Sequence, residues 1–174
     1  LNALESYSRD EVFQIDVALL ERYASTIVEL GERPRVKILS RVDRFHRFVS
    51  ILVFVPRERY DSRLRERIGL MLAEAYDGHV SAYYPAFPEG PLARVHFIIG
   101  RAGGTTPEVD TAQLEARVVE MAKNWEDEFT AALSAAGHAG EYGRLAPGLP
   151  ESYRDVVSPT EAVDDAGIIM ALSE

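Results

Sequence analysis

Hydrophobic and polar positions follow two rhythms along this chain, and the changes between them mark its elements. From Ser8 to Gly31 the spacing is helical, with Val12, Phe13, Ile15, Leu19, Leu20, Tyr23, Ile27 and Leu30 apolar and a break near Asp16. Ser8 with Glu11 reads as a capping box, Gly31 as the C-cap, and Pro34 forbids continuation. From Val36 to Arg41 the period drops to two, which predicts a strand with Ile38 and Leu39 on opposite faces. Residues 43–47 form a turn. Phe48 to Val55 is almost continuously apolar, so this strand belongs in the centre of a sheet with both faces covered.

A second helix begins at Asp61 or Ser62 and buries Leu64, Ile68, Leu72 and Ala75, widened by Met71. Asp77-Gly78 stops it. A third strand runs from His79 to Tyr84. After the Glu89-Gly90 turn a fourth runs from Leu92 to Gly100, with Val95, Phe97 and Ile99 on one face. The order helix-β-β-helix-β-β is that of a ferredoxin-like split β-α-β fold shifted circularly by one strand. The expected fold class is therefore α+β, an antiparallel sheet with helices on one face. Residues 1–101 make this domain, and 102–110 (with Gly103-Gly104 and Pro107) a flexible link. Residues 111–174 make a helical extension, with one long helix over about 108–136, a weakly ordered run over 131–140 and a last helix from Glu161 to Leu172.

Charge adds a second layer. The chain carries −9 overall, yet Arg33 to Arg67 holds eleven Lys and Arg against four acids, so the remainder carries −16. A basic hairpin in an acidic chain reads as a contact surface for an anionic group or an acidic partner. The competing reading pairs these arginines with acids of the same domain. The effector or interface candidates are Arg41, Arg44, Arg47, Arg57 and Arg59. Arg57 and Arg59 precede a helix N-terminus whose free N–H groups suit a carboxylate.

Composition excludes other chemistry. A hydrophobic content of 47% and a charged content of 27% fit a globular domain. With no cysteine, disulfides, thiolate ligands and Cys nucleophiles are excluded, and a reducing, cytoplasmic setting is expected. No apolar run has the length of a membrane span, and no signal peptide is visible. The opening at Leu1 and the abrupt end at Glu174 predict a piece of something larger. Gly100, Gly103 and Gly104 do not have dinucleotide-loop spacing, and no Lys-Ser/Thr follows. His46, His79, His96 and His138 lack metal-ligand spacing, and Ser50 lacks a nucleophile elbow. Arginines beside Phe45, Phe48 and Phe54 imitate an RNA-binding sheet, but the RNA-binding signature is absent and Phe48 and Phe54 sit in the buried strand. Catalytic, cofactor and metal residues are thus none, with no nucleic acid and no membrane as partner.

Several runs resemble the large bacterial NAD-dependent glutamate dehydrogenases: DEVFQI (Asp10–Ile15), ERPRVKIL (Glu32–Leu39), RFHRFVSILVFVPRERYDSRLRERI (Arg44–Ile68), LARVHFIIGR (Leu92–Arg101) and LPESYRDVVSPTEAVDD (Leu149–Asp165). In that family ACT-like domains precede the catalytic part. The resemblance implies a parent enzyme that oxidises L-glutamate to 2-oxoglutarate and ammonia with NAD. It implies that this ACT-like stretch is regulatory or assembles a homo-oligomer, and that an amino acid is its expected effector. The chain itself is expected to be catalytically silent and without cofactor. It has no Rossmann fingerprint, and its two lysines, Lys37 and Lys123, sit on a strand and an acidic helix.

Overall fold

A computed structural model describes residues 16–138, 140, 145 and 148–171, with Met170 described by its backbone alone. The expected capping box at Ser8 and Glu11 lies outside the described residues. The chain divides into two compact units, Leu1–Ala122 and Lys123–Glu174.

In the first unit the elements are α1 (Val17–Glu32), β1 (Lys37–Val42), β2 (Phe48–Pro56), a 3-10 turn (Arg57–Arg59), α2 (Ser62–Ala75), β3 (His79–Ala86), β4 (Leu92–Gly100) and α3 (Thr111–Met121). The sheet order is β1-β2-β4-β3, with every neighbouring pair antiparallel. β2 and β3 are therefore parallel with β4 between them, which is the split β-α-β arrangement. β1 takes the edge place beside β2 that the last strand of a ferredoxin-like domain fills, so the circular shift is present.

β2 earns its central place through continuous apolarity. Val49, Ile51, Val53 and Val55 face one core together with Val95, Phe97 and Ile99 of β4, while Leu52 and Phe54 face the other. Each fully buried side chain of this size contributes about 2 kcal/mol of transfer free energy. Two helices share the first face, and they are α2 and α3: Leu64, Ile68, Leu72, Leu114 and Val118 all join that core. α1 covers the opposite face with Tyr23 and Leu30 against Leu39, Leu52, Phe54 and Leu92. The helical pattern of α1 shows an apolar stripe but carries no information about which face receives it.

Close packing fixes α2. A Cβ on Gly69 would lie 3.2 Å from both Phe97 and Val80, so the missing side chain lets the helix sit low on the sheet. Asp61 caps α2 by accepting from Leu64 N–H at 2.6 Å. At the other end Asp77 takes a left-handed conformation (φ 50°), and Gly78 N–H returns to the Ala73 carbonyl at 2.8 Å. Asp16, where the sequence shows a break, is the N-cap of α1, which continues through Gly31 to Glu32.

The expected helix over about 108–136 is two helices. α3 ends at Met121, and Asn124 starts α4 (Trp125–Ala135) with a capping box to Asp127. Because Leu114 and Val118 lie in the sheet core, the unit carrying the sheet reaches Ala122 instead of ending near 101. The segment 102–110, expected to be a flexible link, is pinned. Arg101, with a side chain only 2% exposed, donates to the carbonyls of Tyr76 (2.9 Å), Gly104 (3.0 Å) and Thr105 (3.2 Å).

The second unit holds α4, a short α5 (Glu151–Arg154) and α6 (Glu161–Ala171). Residues 131–135, expected to be weakly ordered, are helical, because Leu133 is buried with Phe129 against Ala162 and Ala166. Trp125 stacks on Phe129 and donates its indole N–H to the Val157 carbonyl at 2.8 Å. Tyr153 donates to Asp165 at 2.6 Å; burial first, then that carboxylate, push its hydroxyl up to about 12.

Candidate functional site

The five candidate arginines fall at opposite ends of β2. Nine residues of strand separate them by about 30 Å, so they are two groups and not one site.

At the hairpin end, Arg41 is buried on β1 with its guanidinium 5.9 Å from the Phe48 ring. Arg44 and Arg47 lie 6.0 and 5.2 Å from the exposed Phe45 ring. Arg47 pairs with the buried Asp43 at 2.9 Å, and Asp43 also accepts from the N–H groups of Phe45 (3.2 Å) and Arg47 (3.3 Å). The Arg47 side chain, then these amides, hold the Asp43 carboxyl below its usual range, and Asp43 in return raises Arg47. The turn is thus built around one internal pair.

At the other end, Arg57 donates to the Pro88 carbonyl at 2.7 Å and lies 5.8 Å from the Phe87 ring, and Arg59 pairs with Glu58 at 3.7 Å. Of the α2 N–H groups expected to suit an effector carboxylate, that of Leu64 is taken by the Asp61 side chain. What the fold assembles here is a surface of arginines and aromatic rings. Tyr60 meets Phe87 edge-on at 5.3 Å, and Arg65 lies 4.2 Å from the Tyr83 ring. Phe87 and Tyr83 are 54% and 43% exposed. Burial raises the Tyr60 hydroxyl, and Arg65 opposes that shift.

Three arrangements escaped the sequence. Ser50 and His96 meet at 2.8 Å on the face that α1 covers, 46 residues apart in the chain and joined only by β2–β4 pairing. Ser50 is 2% exposed, so this pair fastens the sheet and does not offer a nucleophile. His46, in a left-handed turn conformation, accepts from Thr106 N–H at 3.2 Å and bonds its hydroxyl at 2.9 Å, tying the β1–β2 turn to the segment that Arg101 holds. Finally, a groove of about 440 Å³ lies beside α1 and the β1 edge, lined by Arg22, Tyr23, Thr26, Lys37, Ser40 and Thr111 among others. Lys37 pairs there with Glu115 of α3 at 2.9 Å.

Among the described residues no cluster of His, Asp and Glu has the makings of a metal site, and no helix is long and apolar enough to cross a membrane.

Comparison with known proteins gives this geometry a family. The model for the glutamate dehydrogenase ACT2 domain matches residues 37–126, more than half of the chain, and that for glutamate dehydrogenase helical motif 1 matches residues 1–33. The chain is 36% identical over its whole length to an NAD-specific glutamate dehydrogenase of Halomonas elongata. It is 32% identical over 98% of its length to that of Pseudomonas aeruginosa, and 27% identical over its whole length to that of Mycobacterium tuberculosis. It spans 11% to 12% of the length of these relatives. The antiparallel sheet with α2 and α3 on one face coincides with the ACT2 match, and α1 with the helical motif. The chain therefore belongs to the glutamate dehydrogenase family and carries its ACT2 domain.

Proposed function

We propose that this chain is a non-catalytic assembly and regulatory module of a cytoplasmic, homo-oligomeric NAD-dependent glutamate dehydrogenase. The parent enzyme oxidises L-glutamate to 2-oxoglutarate and ammonia and passes a hydride to NAD. The observation that carries this reading is the Arg57–Phe87–Tyr60 and Arg65–Tyr83 surface. Exposed aromatic rings backed by arginines are the composition from which interface hot spots are built. At the hairpin turn Arg47 is engaged internally by Asp43, which favours the opposite end of β2 for the contact role.

The test uses the full-length parent enzyme with Tyr83→Asp and Phe87→Asp together. The expected result is dissociation to smaller species in sedimentation, with at least about a tenfold weaker association. Sedimentation and glutamate-dependent NADH production both unchanged would sink the proposal. A second reading, response to an amino-acid effector, is favoured by one observation: the polar groove beside α1 holds a cation, Arg22, that has no ion pair among the described residues.

A further inference from the structure

We infer that the tip of the β1–β2 hairpin is a plug for an apolar pocket rimmed by carboxylates, supplied by the parent chain outside these residues. This contact goes beyond the assembly surface at the other end of β2. Phe45 stands at the tip, 69% exposed, with the guanidinium groups of Arg44 and Arg47 at 6.0 and 5.2 Å from its ring. A lone exposed ring on a loose loop would need no explanation. This one stands on a turn fixed by several bonds. Asp43 N–H donates to the Phe48 carbonyl and His46 N–H to the Asp43 carbonyl, each at 2.9 Å. The Asp43 carboxylate accepts from Phe45 N–H at 3.2 Å. From outside the hairpin, Arg101 N–H donates to the Arg47 carbonyl at 2.8 Å, and Thr106 bonds His46. A turn that keeps its shape without a partner loses little entropy on binding, and Phe and Arg are residues enriched at interfaces.

Charge selects the occupant. Arg41, Arg44 and Arg47 against Asp43 leave residues 41–47 at +2, and Arg101 and Asp77 beside the turn cancel. Arg41 is buried and Arg47 is paired with Asp43, so Arg44, exposed, is the cation presented with the ring. Covering a guanidinium without a counter-charge is costly, so the rim that closes over Arg44 carries a carboxylate. The floor that receives the ring is apolar. A nucleic acid is the poorer match, because it needs several phosphates neutralised at once and the chain carries −9. The pocket is assigned to the parent chain because these residues span only 11% to 12% of the relatives' length. Further chain tethered to the hairpin meets it at high effective concentration.

The experiment places photoreactive p-benzoylphenylalanine at position 45 of the purified full-length parent enzyme and maps the cross-linked peptide by mass spectrometry. The expected result is one dominant cross-link within a single chain, to a peptide outside residues 1–174 that carries Asp or Glu beside apolar residues. Arg44→Ala lowers its yield about threefold and Arg44→Lys restores part of it. Phe45→Ser speeds hydrogen exchange in that same peptide while sedimentation stays that of the parent enzyme. Tyr83→Asp with Phe87→Asp leaves the cross-link in place, so the two contacts fail separately. No cross-link, or cross-links scattered over many peptides, would overturn the plug. One dominant cross-link to a peptide without carboxylates would overturn the charge assignment. A cross-link to a second copy or to nucleic acid would overturn the occupant.

Discussion

The two edges of the sheet are finished in different ways. At β1, the outward backbone groups are taken by side chains from flanking helices. Tyr23 of α1 donates to the Ser40 carbonyl, and Glu115 of α3 accepts from Ile38 N–H at 3.0 Å while pairing with Lys37. At β3 the chain relies on its own backbone. A register shift between Val80 and Ala82 leaves Ser81 as a bulge, and Pro85 has no N–H to offer. These are the devices that keep a bare edge from pairing with another strand. The side chains of that edge stay open, with Tyr83 and Tyr84 43% and 60% exposed. A strand covered by helices can be guarded by side chains alone, whereas one left bare must be made unpairable. That leaves the β3 side to offer rings and arginines in place of a ladder, which is why the assembly surface is assigned there.

The largest expected effect comes from breaking β3 itself. A Cβ on Gly78 would lie 2.5 Å from the Gly100 carbonyl oxygen and 2.9 Å from Ile99, so the first residues of β3 reach β4 only because position 78 is bare. Gly78→Val should cost about 3 kcal/mol by overpacking and lower the melting midpoint by about 10 °C. Gly31, in the last turn of α1 with nothing within 4 Å of its Cβ, is the control: Gly31→Ala should leave the midpoint unchanged or raise it slightly. Equal midpoints for both variants would mean that the contact at Gly78 does not hold β3.

Removing the guard from β1 should cost less and do something different. Tyr23→Phe strands the Ser40 carbonyl, and Glu115→Ala strands Ile38 N–H and Lys37, at about 1 to 2 kcal/mol each. The Lys37–Glu115 pair contributes the smaller part, since both side chains retain some solvent contact. The distinguishing readout is association. The double variant should exchange its β1 amides faster and self-associate more strongly in sedimentation than the unsubstituted chain. A double variant that sediments like the unsubstituted chain, with unchanged exchange, would refute the guarding role.

Much of this contrast was visible in the residues, and the hidden part has a common cause. β2 could be placed centrally because Val49 to Val55 is apolar on both faces, and few other structures bury such a run. The turn at 43–47, the stop at Asp77-Gly78 and the alternation in β4 are local chemistry and were equally legible. Which face α1 covers, and that α3 belongs under the sheet, depend on partners far away in sequence. The amphipathic stripe of Leu114 and Val118 looks the same whether it packs on a sheet or in a separate bundle. The candidate site suffered most. The arginines were countable, but their separation along β2 and the capping of Leu64 N–H by Asp61 are matters of placement. The Ser50–His96 pair and the groove at Arg22 arise from cross-strand and helix–strand contacts with no local signal.

The smallest expected effect separates the two hairpins that lead to these edges. The β1–β2 turn is closed by a carboxylate, Asp43, whereas the β3–β4 turn contains Gly90 in a left-handed conformation (φ 116°) and no comparable buried acid. The folded Asp43 carboxyl titrates below its usual range, chiefly because Arg47 bonds its charged form. The stabilisation is therefore fully present above the ordinary carboxylate value of about 4 and is lost as pH falls through the lower folded value. Because Arg47 is largely exposed, solvent screens much of the pair, and the midpoint should fall by only about 2 °C. Asp43→Asn should be less stable than the parent chain near neutrality and approach it as the pH drops below about 4. Hydrogen exchange locates the change: in acid, amides beside the turn, Val42 and Phe48, should lose protection before Ala86 and Leu92 at the opposite hairpin. Simultaneous loss at both hairpins would assign the acid response to the whole sheet and remove Asp43 from its account.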